Sequence, residues 1–214
     1  MVDPESGDGV ITNPPMNLRD GYTDLPPGKI ASVVTYLEMR ERPGLPPVEP
    51  PAGLSFRRVI KPDLGWYRKL YRAVGEEWLW FSRLRMNDAE LTGILHDPQV
   101  ELFALSSAGQ DKGLLELDCR LMPDVEIASF GLTRDFVGKG AGRFLMARAL
   151  EAAWAHSPQR VWLHTCTLDS TRALSFYVKP GFVPYKRAIE VSDDPRISGE
   201  IPRSAAPHVP LIGG

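Results

Sequence analysis

The run Phe130-Gly131-Leu132-Thr133-Arg134-Asp135-Phe136-Val137-Gly138-Lys139-Gly140-Ala141-Gly142-Arg143-Phe144-Leu145 decides how this chain is read. It reads as a strand that ends, a loop with three alternate glycines, and a helix that begins. Glycines let backbone amides come close to a ligand and take positive φ. A helix start adds unpaired amides and a partial positive charge. Together these features fit a pyrophosphate cradle, to which Lys139 and Arg143 could add charge-assisted hydrogen bonds. A glycine-rich turn without ligand is the plain alternative. A dinucleotide fingerprint would need glycine where Arg143 stands, and the P-loop pattern GxxxxGK[ST] is absent.

Working outward, the flanks alternate strand and helix. The helix after the loop spans about 141–156, with Leu145, Met146, Ala149 and Ala153 as its apolar stripe. Strands are expected at 54–60, 100–106, 114–121, 125–132, 160–167 and 182–191. Helical spacing marks 63–74 and 76–84. Asn87 with Glu90 forms a capping-box pattern that opens a helix to Leu95. Another helix, 170–177, stops before Pro180-Gly181. Helices come early, then a β-meander, then strand–helix–strand–helix–strand, which predicts a mixed α+β sheet.

Composition bounds the rest. The 214 residues suffice for one domain, and a net charge of −2 gives no basic field for nucleic acid. No apolar run is long enough to span a bilayer, and no basic, apolar leader opens the sequence, so no membrane partner and a cytoplasmic location are expected. Cys119 and Cys166 sit in apolar strands away from any CxxC or Cys/His cluster, so no metal is expected. Ten of the twenty prolines precede residue 52. Residues 1–53 therefore read as a Pro-rich arm carrying one added strand at about 31–39, residues 54–191 as the domain, and 192–214 as a Pro-rich tail. Both arms could wrap the domain or a partner subunit, which leaves a homodimer open.

Downstream stands Ser170-Thr171-Arg172-Ala173-Leu174-Ser175-Phe176-Tyr177-Val178-Lys179-Pro180-Gly181-Phe182. It closely resembles the AxxxYxxxGF signature of the GCN5-related N-acetyltransferases (GNAT superfamily). The glycine loop resembles that superfamily's R/Q-x-x-G-x-G/A motif at Gly140 and Gly142. The order and spacing of the two motifs also fit, and the resemblance covers about 54–191. Two positions depart from the pattern: the family usually has Arg or Gln where Val137 stands, and often Asn where Ser170 stands.

The resemblance implies a central, mostly antiparallel sheet, splayed between the family's fourth and fifth strands (here 125–132 and 160–167) and flanked by helices. Acetyl-CoA would sit in the wedge as co-substrate. Its contacts would be Phe130, Gly131 and Leu132 on the strand, Val137, Gly138, Lys139, Gly140, Ala141, Gly142 and Arg143 in the loop, and Ser170. The implied reaction is direct transfer of an acetyl group to a primary amine of a small molecule or peptide. Tyr177 matches the family's tyrosine beside the sulfur, which serves as acid. A core aromatic is the plain alternative.

A base must deprotonate the ammonium. Glu126 lies on the strand where several relatives hold a catalytic glutamate, so it ranks first, before Glu116 and His164. Strand alternation would place Glu126, Ala128 and Phe130 on one face, and Glu116 and Asp118 together on the neighbouring strand. In the aromatic run 76–81, Trp78 and Phe81 read as the buried stripe of a helix, leaving Trp80 off it. Trp80, Glu116 and His164 are the candidate acceptor contacts. An acyl-CoA-binding or interaction module without catalysis is the rival reading.

Overall fold

Two helical layers and a docked tail enclose one seven-stranded sheet whose next-to-last strand comes from the N-terminal arm. A computed structural model describes residues 20–44 and 46–213. Residues 1–19 and residue 45 of the expected Pro-rich arm therefore lie outside the described residues. The strands are β1 (Lys29–Met39), β2 (Leu54–Val59), β3 (Val100–Ser107), β4 (Gln110–Asp118), β5 (Asp124–Leu132), β6 (Arg160–Cys166) and β7 (Val183–Asp193). The sheet order is β2-β3-β4-β5-β6-β1-β7. All neighbours are antiparallel except β5 and β6.

The β1 strand is an interior strand, paired along Val34–Met39 with β6 and along Lys29–Glu38 with β7. Its β-branched residues suit that place, and the Pro26-Pro27 pair, unable to donate to a ladder, stays outside it. The tight connection between β3 and β4 is the pair Ala108-Gly109, both at positive φ, as a two-residue hairpin turn requires.

One face of the sheet carries α4 (Ala141–Ala155). Phe144, Leu145, Ala149 and Leu150 pack there on Leu115, Leu117, Ile127, Val161 and Leu163. The other face carries α1 (Leu64–Gly75) and α3 (Asp88–Leu95). Tyr67, Leu70, Val74 and Leu91 pack there on Leu102, Ala104 and Leu114. Asp63 caps α1 through the Trp66 amide, and Asn87 with Glu90 completes the capping box of α3. No helix among the described residues is long and apolar enough to cross a membrane.

The expected helix at 76–84 is broken. A single 3-10 turn, Glu76–Trp78, is followed by Leu79 at φ 56, and α2 covers only Ser82–Arg85. The left-handed residue reverses the chain. It buries Leu79 against Ile30 and the tail residues Ile201, Ala205 and Ala206. The tail begins with α6 (Pro195–Ser198), capped by Asp194. The buried Arg196 guanidinium pairs with Asp194 at 2.7 Å and donates to the carbonyls of Ala205, Ala206 and Val209. Arg196 thereby fastens the tail beside the α1–α2 turn, where Arg85 also pairs with Glu200 at 2.8 Å.

Candidate active site

The chemistry gathers where β5 and β6 part. They pair in parallel only at Asp124↔Arg160, Val125↔Val161 and Glu126↔Trp162, then diverge. Beyond that point neither strand donates to the other, so an opening runs from Ile127 to the end of β6.

The loop Val137–Arg143 stands at the mouth. Gly138 and Gly140 take φ 84 and 83, a conformation that L side chains rarely adopt. Gly140 is the N-cap of α4 without any side-chain cap, and the first turn holds no acid. Among the described residues, the amides from Gly138 to Arg143 reach no backbone carbonyl outside the helix. Val137, Lys139 and Arg143 are exposed, and the Lys139 ammonium stands 5.6 Å from the Phe136 ring centroid. Asp135, the loop's own acid, is tied by the Thr133 hydroxyl and by Lys112, which hold its carboxyl below the usual range. The result is a row of amides at the start of α4, flanked by exposed cations.

Under the loop lies an aromatic cluster. Phe176 and Tyr177, on α5 (Ala173–Val178), meet Phe130 of β5 at centroid distances of 5.7 and 6.0 Å. Phe176 also lies against Gly142, where an added Cβ would be 3.5 Å from its ring. Burial first, and then the Asp169 carboxylate, push the Tyr177 hydroxyl well above its ordinary range, so it stays protonated. Ser170 starts the turn into α5. Its carbonyl accepts from the Ala173 amide at 2.8 Å, and its hydroxyl from the Arg172 amide at 3.4 Å.

The expected alternation along β5 fails at one place. Glu116 faces Ser129 and Leu117 faces Ile127, so Ala128 is an extra, bulged residue. The bulge shifts parity. Phe130 lies with Leu115 on the α4 side, whereas Glu126, opposite Asp118, lies on the α1 side with Ser129. Glu126 and Phe130 therefore do not share a face. Glu126 is 4% exposed, and its Oε1 is 3.8 Å from His164 Nδ1. His164, two residues past Trp162 on β6, is about one-third exposed and turns its ring toward Tyr36, at a centroid distance of 5.7 Å. The structure thus brings Glu126 and His164 together at the base of the opening.

Glu116 corrects its expectation. Its side chain is fully buried, takes the Arg83 guanidinium at 2.6 Å, and accepts from the Tyr67 hydroxyl at 2.7 Å. Burial, then the Glu116 charge, drive the Tyr67 hydroxyl well above its usual range. A carboxylate so enclosed braces α1 and α2 against β4 and has no route to a substrate. Asp118, its neighbour on the same face, is held by Arg120.

Trp80 occupies the space left by two glycines. An added Cβ on Gly75 would collide with the Trp80 side chain. One on Gly131 would collide with Val74 and come within 3.1 Å of Trp80 Cη2. Its indole N–H donates to Asp169 at 3.3 Å. Asp169, Gly75 and the Arg83–Tyr67 pair escaped the sequence reading. Only the position of Asp169, directly before the Ser170 motif, hinted at it.

A family model described as the acetyltransferase (GNAT) family matches residues 70–182. Among solved structures, a GCN5-related N-acetyltransferase from Sphaerobacter thermophilus is similar at 19% identity and TM-score 0.53, covering 78% of this chain and 52% of that one. One from Kribbella flavida gives 16% and 0.50, covering 80% and 63%. A functionally unknown conserved protein from Staphylococcus epidermidis ATCC 12228 gives 14% and 0.51, covering 78% and 64%. The chain thus spans about half to two thirds of the length of these proteins, and at such identities the likeness is one of fold. No curated protein sequence matches it. Because the family model covers more than half of its residues, the chain belongs to the GNAT family of acetyltransferases.

Proposed function

We propose that the protein transfers an acetyl group from acetyl-CoA to a primary amine of a small molecule or peptide. The observation that carries this reading is the β5–β6 opening, with an amide cradle at its mouth and a carboxylate and a protonated phenol along its walls. Acetyl-CoA supplies an activated acyl group on a thioester. The amides of Gly138–Gly142 would take the pyrophosphate, with Lys139 and Arg143 beside it. The exposed edge of β5 at Phe130–Leu132 can pair with the amides of the pantetheine arm as an added strand would.

Glu126 takes the proton of the incoming ammonium, directly or through water, with His164 alongside to relay it. The freed amine attacks the carbonyl carbon, the C–N bond forms, and the C–S bond breaks. Tyr177 hydrogen-bonds the departing thiolate and supplies its proton, and the proton that the nitrogen sheds on becoming an amide restores the phenol. An acyl-cysteine route finds no poised thiol. Burial, then Asp169, push the Cys166 thiol up to about 11, and burial, then Glu101, push that of Cys119 to about 12.

Calorimetric titration with acetyl-CoA, with NAD and ATP as controls, tests the reading, followed by thiol release over a panel of amines. Selective binding and amine-dependent thiol release are expected. Binding with no transfer to any amine would favour the non-catalytic binding module, and no binding would end both readings.

A further inference from the structure

Asp169 faces two ways at the top of the opening. Its Oδ2 accepts from the Thr165 hydroxyl at 2.6 Å and from the Cys166 amide at 2.9 Å, which fastens it to the end of β6. Its Oδ1 accepts from the indole N–H of Trp80, 89 residues away in sequence. The far edge of that indole rests over Gly131 of β5. The ring therefore spans from β5 to the end of β6 on the α1 side, across the stretch where the strands no longer pair. The indole thus has one end fixed by a carboxylate at its N–H and the other seated on the bare Gly131.

We propose that Asp169 is a positioning residue: by holding Trp80 across the β5–β6 opening, it closes the α1 side of the cofactor seat to water. The inference rests on the acetyl-transfer reading. A thioester seated in an open cleft is exposed to hydrolysis. The water oxygen bonds to the acetyl carbon, the C–S bond breaks, acetate leaves, and the thiolate takes a proton. Water exclusion suppresses this loss while no amine is present. The bridge leaves the lower part of the opening, beside Glu126, Ser129 and His164, as the approach for an amine.

The test is thiol release from acetyl-CoA with no amine added. Trp80→Ala and Asp169→Asn should each raise it about tenfold, while acetyl-CoA affinity by calorimetry changes by no more than about threefold. The double variant should be no faster than Trp80→Ala, because Asp169 acts through the ring. Trp80→Phe, which keeps a ring but loses the N–H, should fall between wild type and Trp80→Ala, and it carries the test if Asp169→Asn does not fold. Unchanged release in Trp80→Ala, or additive effects in the double variant, would overturn the proposal.

If the wild type does not bind acetyl-CoA, the parent reading fails and the bridge is measured alone. Among the five tryptophan indole signals of the 15N-labelled protein, the one removed by Trp80→Phe should exchange its proton slowly. Asp169→Asn should speed that exchange about tenfold. Equal exchange in both proteins would show that no such bridge holds.

Discussion

The two sides of the opening are built by opposite means. The cradle side comes from one unbroken stretch, 130–143, and offers mainly backbone amides at an exposed helix start. The α1 side is assembled from α1, α2, β4, β5 and β6, and offers side chains that are buried and already engaged, such as Glu116 with Arg83 and Trp80 with Asp169. A site made of amides depends on backbone shape and should tolerate a change of side chain. A site made of buried side chains depends on every partner staying in place. The first should fail at its glycines and the second at its charges.

Substitution can break that contrast. The largest effect is expected on the α1 side: Arg83→Ala strands the Glu116 carboxylate in the core and should cost about 3–5 kcal/mol in denaturant unfolding. A loss below about 1 kcal/mol would mean that the pair is not desolvated as described. Next comes Tyr177→Phe, which should lower kcat by about 10²–10⁴-fold and leave acetyl-CoA affinity nearly unchanged. The sign of its pH effect follows from the raised hydroxyl. The donor form persists, so kcat should show no alkaline fall from this group below about pH 10.

On the cradle side, Gly140→Val forces a branched side chain into positive φ and should weaken acetyl-CoA binding about 10–100-fold by calorimetry, at a folding cost of about 1–2 kcal/mol. Equal affinity would place the phosphates elsewhere. The smallest effect sharpens the contrast from the other direction. Val137→Arg would add one charge-assisted contact to a cradle built mainly of amides and should tighten binding by only about two- to fivefold.

What the sequence disclosed follows the same division. The loop and α4 were legible because their signals are local: alternate glycines, a helix period, and a motif at fixed spacing downstream. The capping box at Asn87 was legible for the same reason. The interior place of β1 was not, since pairing between residues 34 and 166 leaves no mark in the residues around either. The bulge at Ala128 was also silent, and it alone moved Glu126 to the face opposite Phe130. Glu116 looked like a reactive carboxylate because its partners, Tyr67 and Arg83, stand 49 and 33 residues away. Trp80 stood out from the stripe of a presumed helix that the left-handed Leu79 in fact interrupts.

The place of β1 has a consequence for how the molecule comes into being. Residues 29–39 leave the ribosome well before the strands that will flank them, since β6 begins at Arg160 and β7 ends at Asp193. At about 5–20 residues per second, some 120 residues separate the end of β1 from the start of β6, a wait of roughly 6–24 s. Throughout that interval a β-prone segment with two unsatisfied edges stays in the nascent chain, and the prolines on either side limit how far a stray pairing could spread. The sheet is therefore completed last at its β7 end, when the earliest strand is inserted between the latest two.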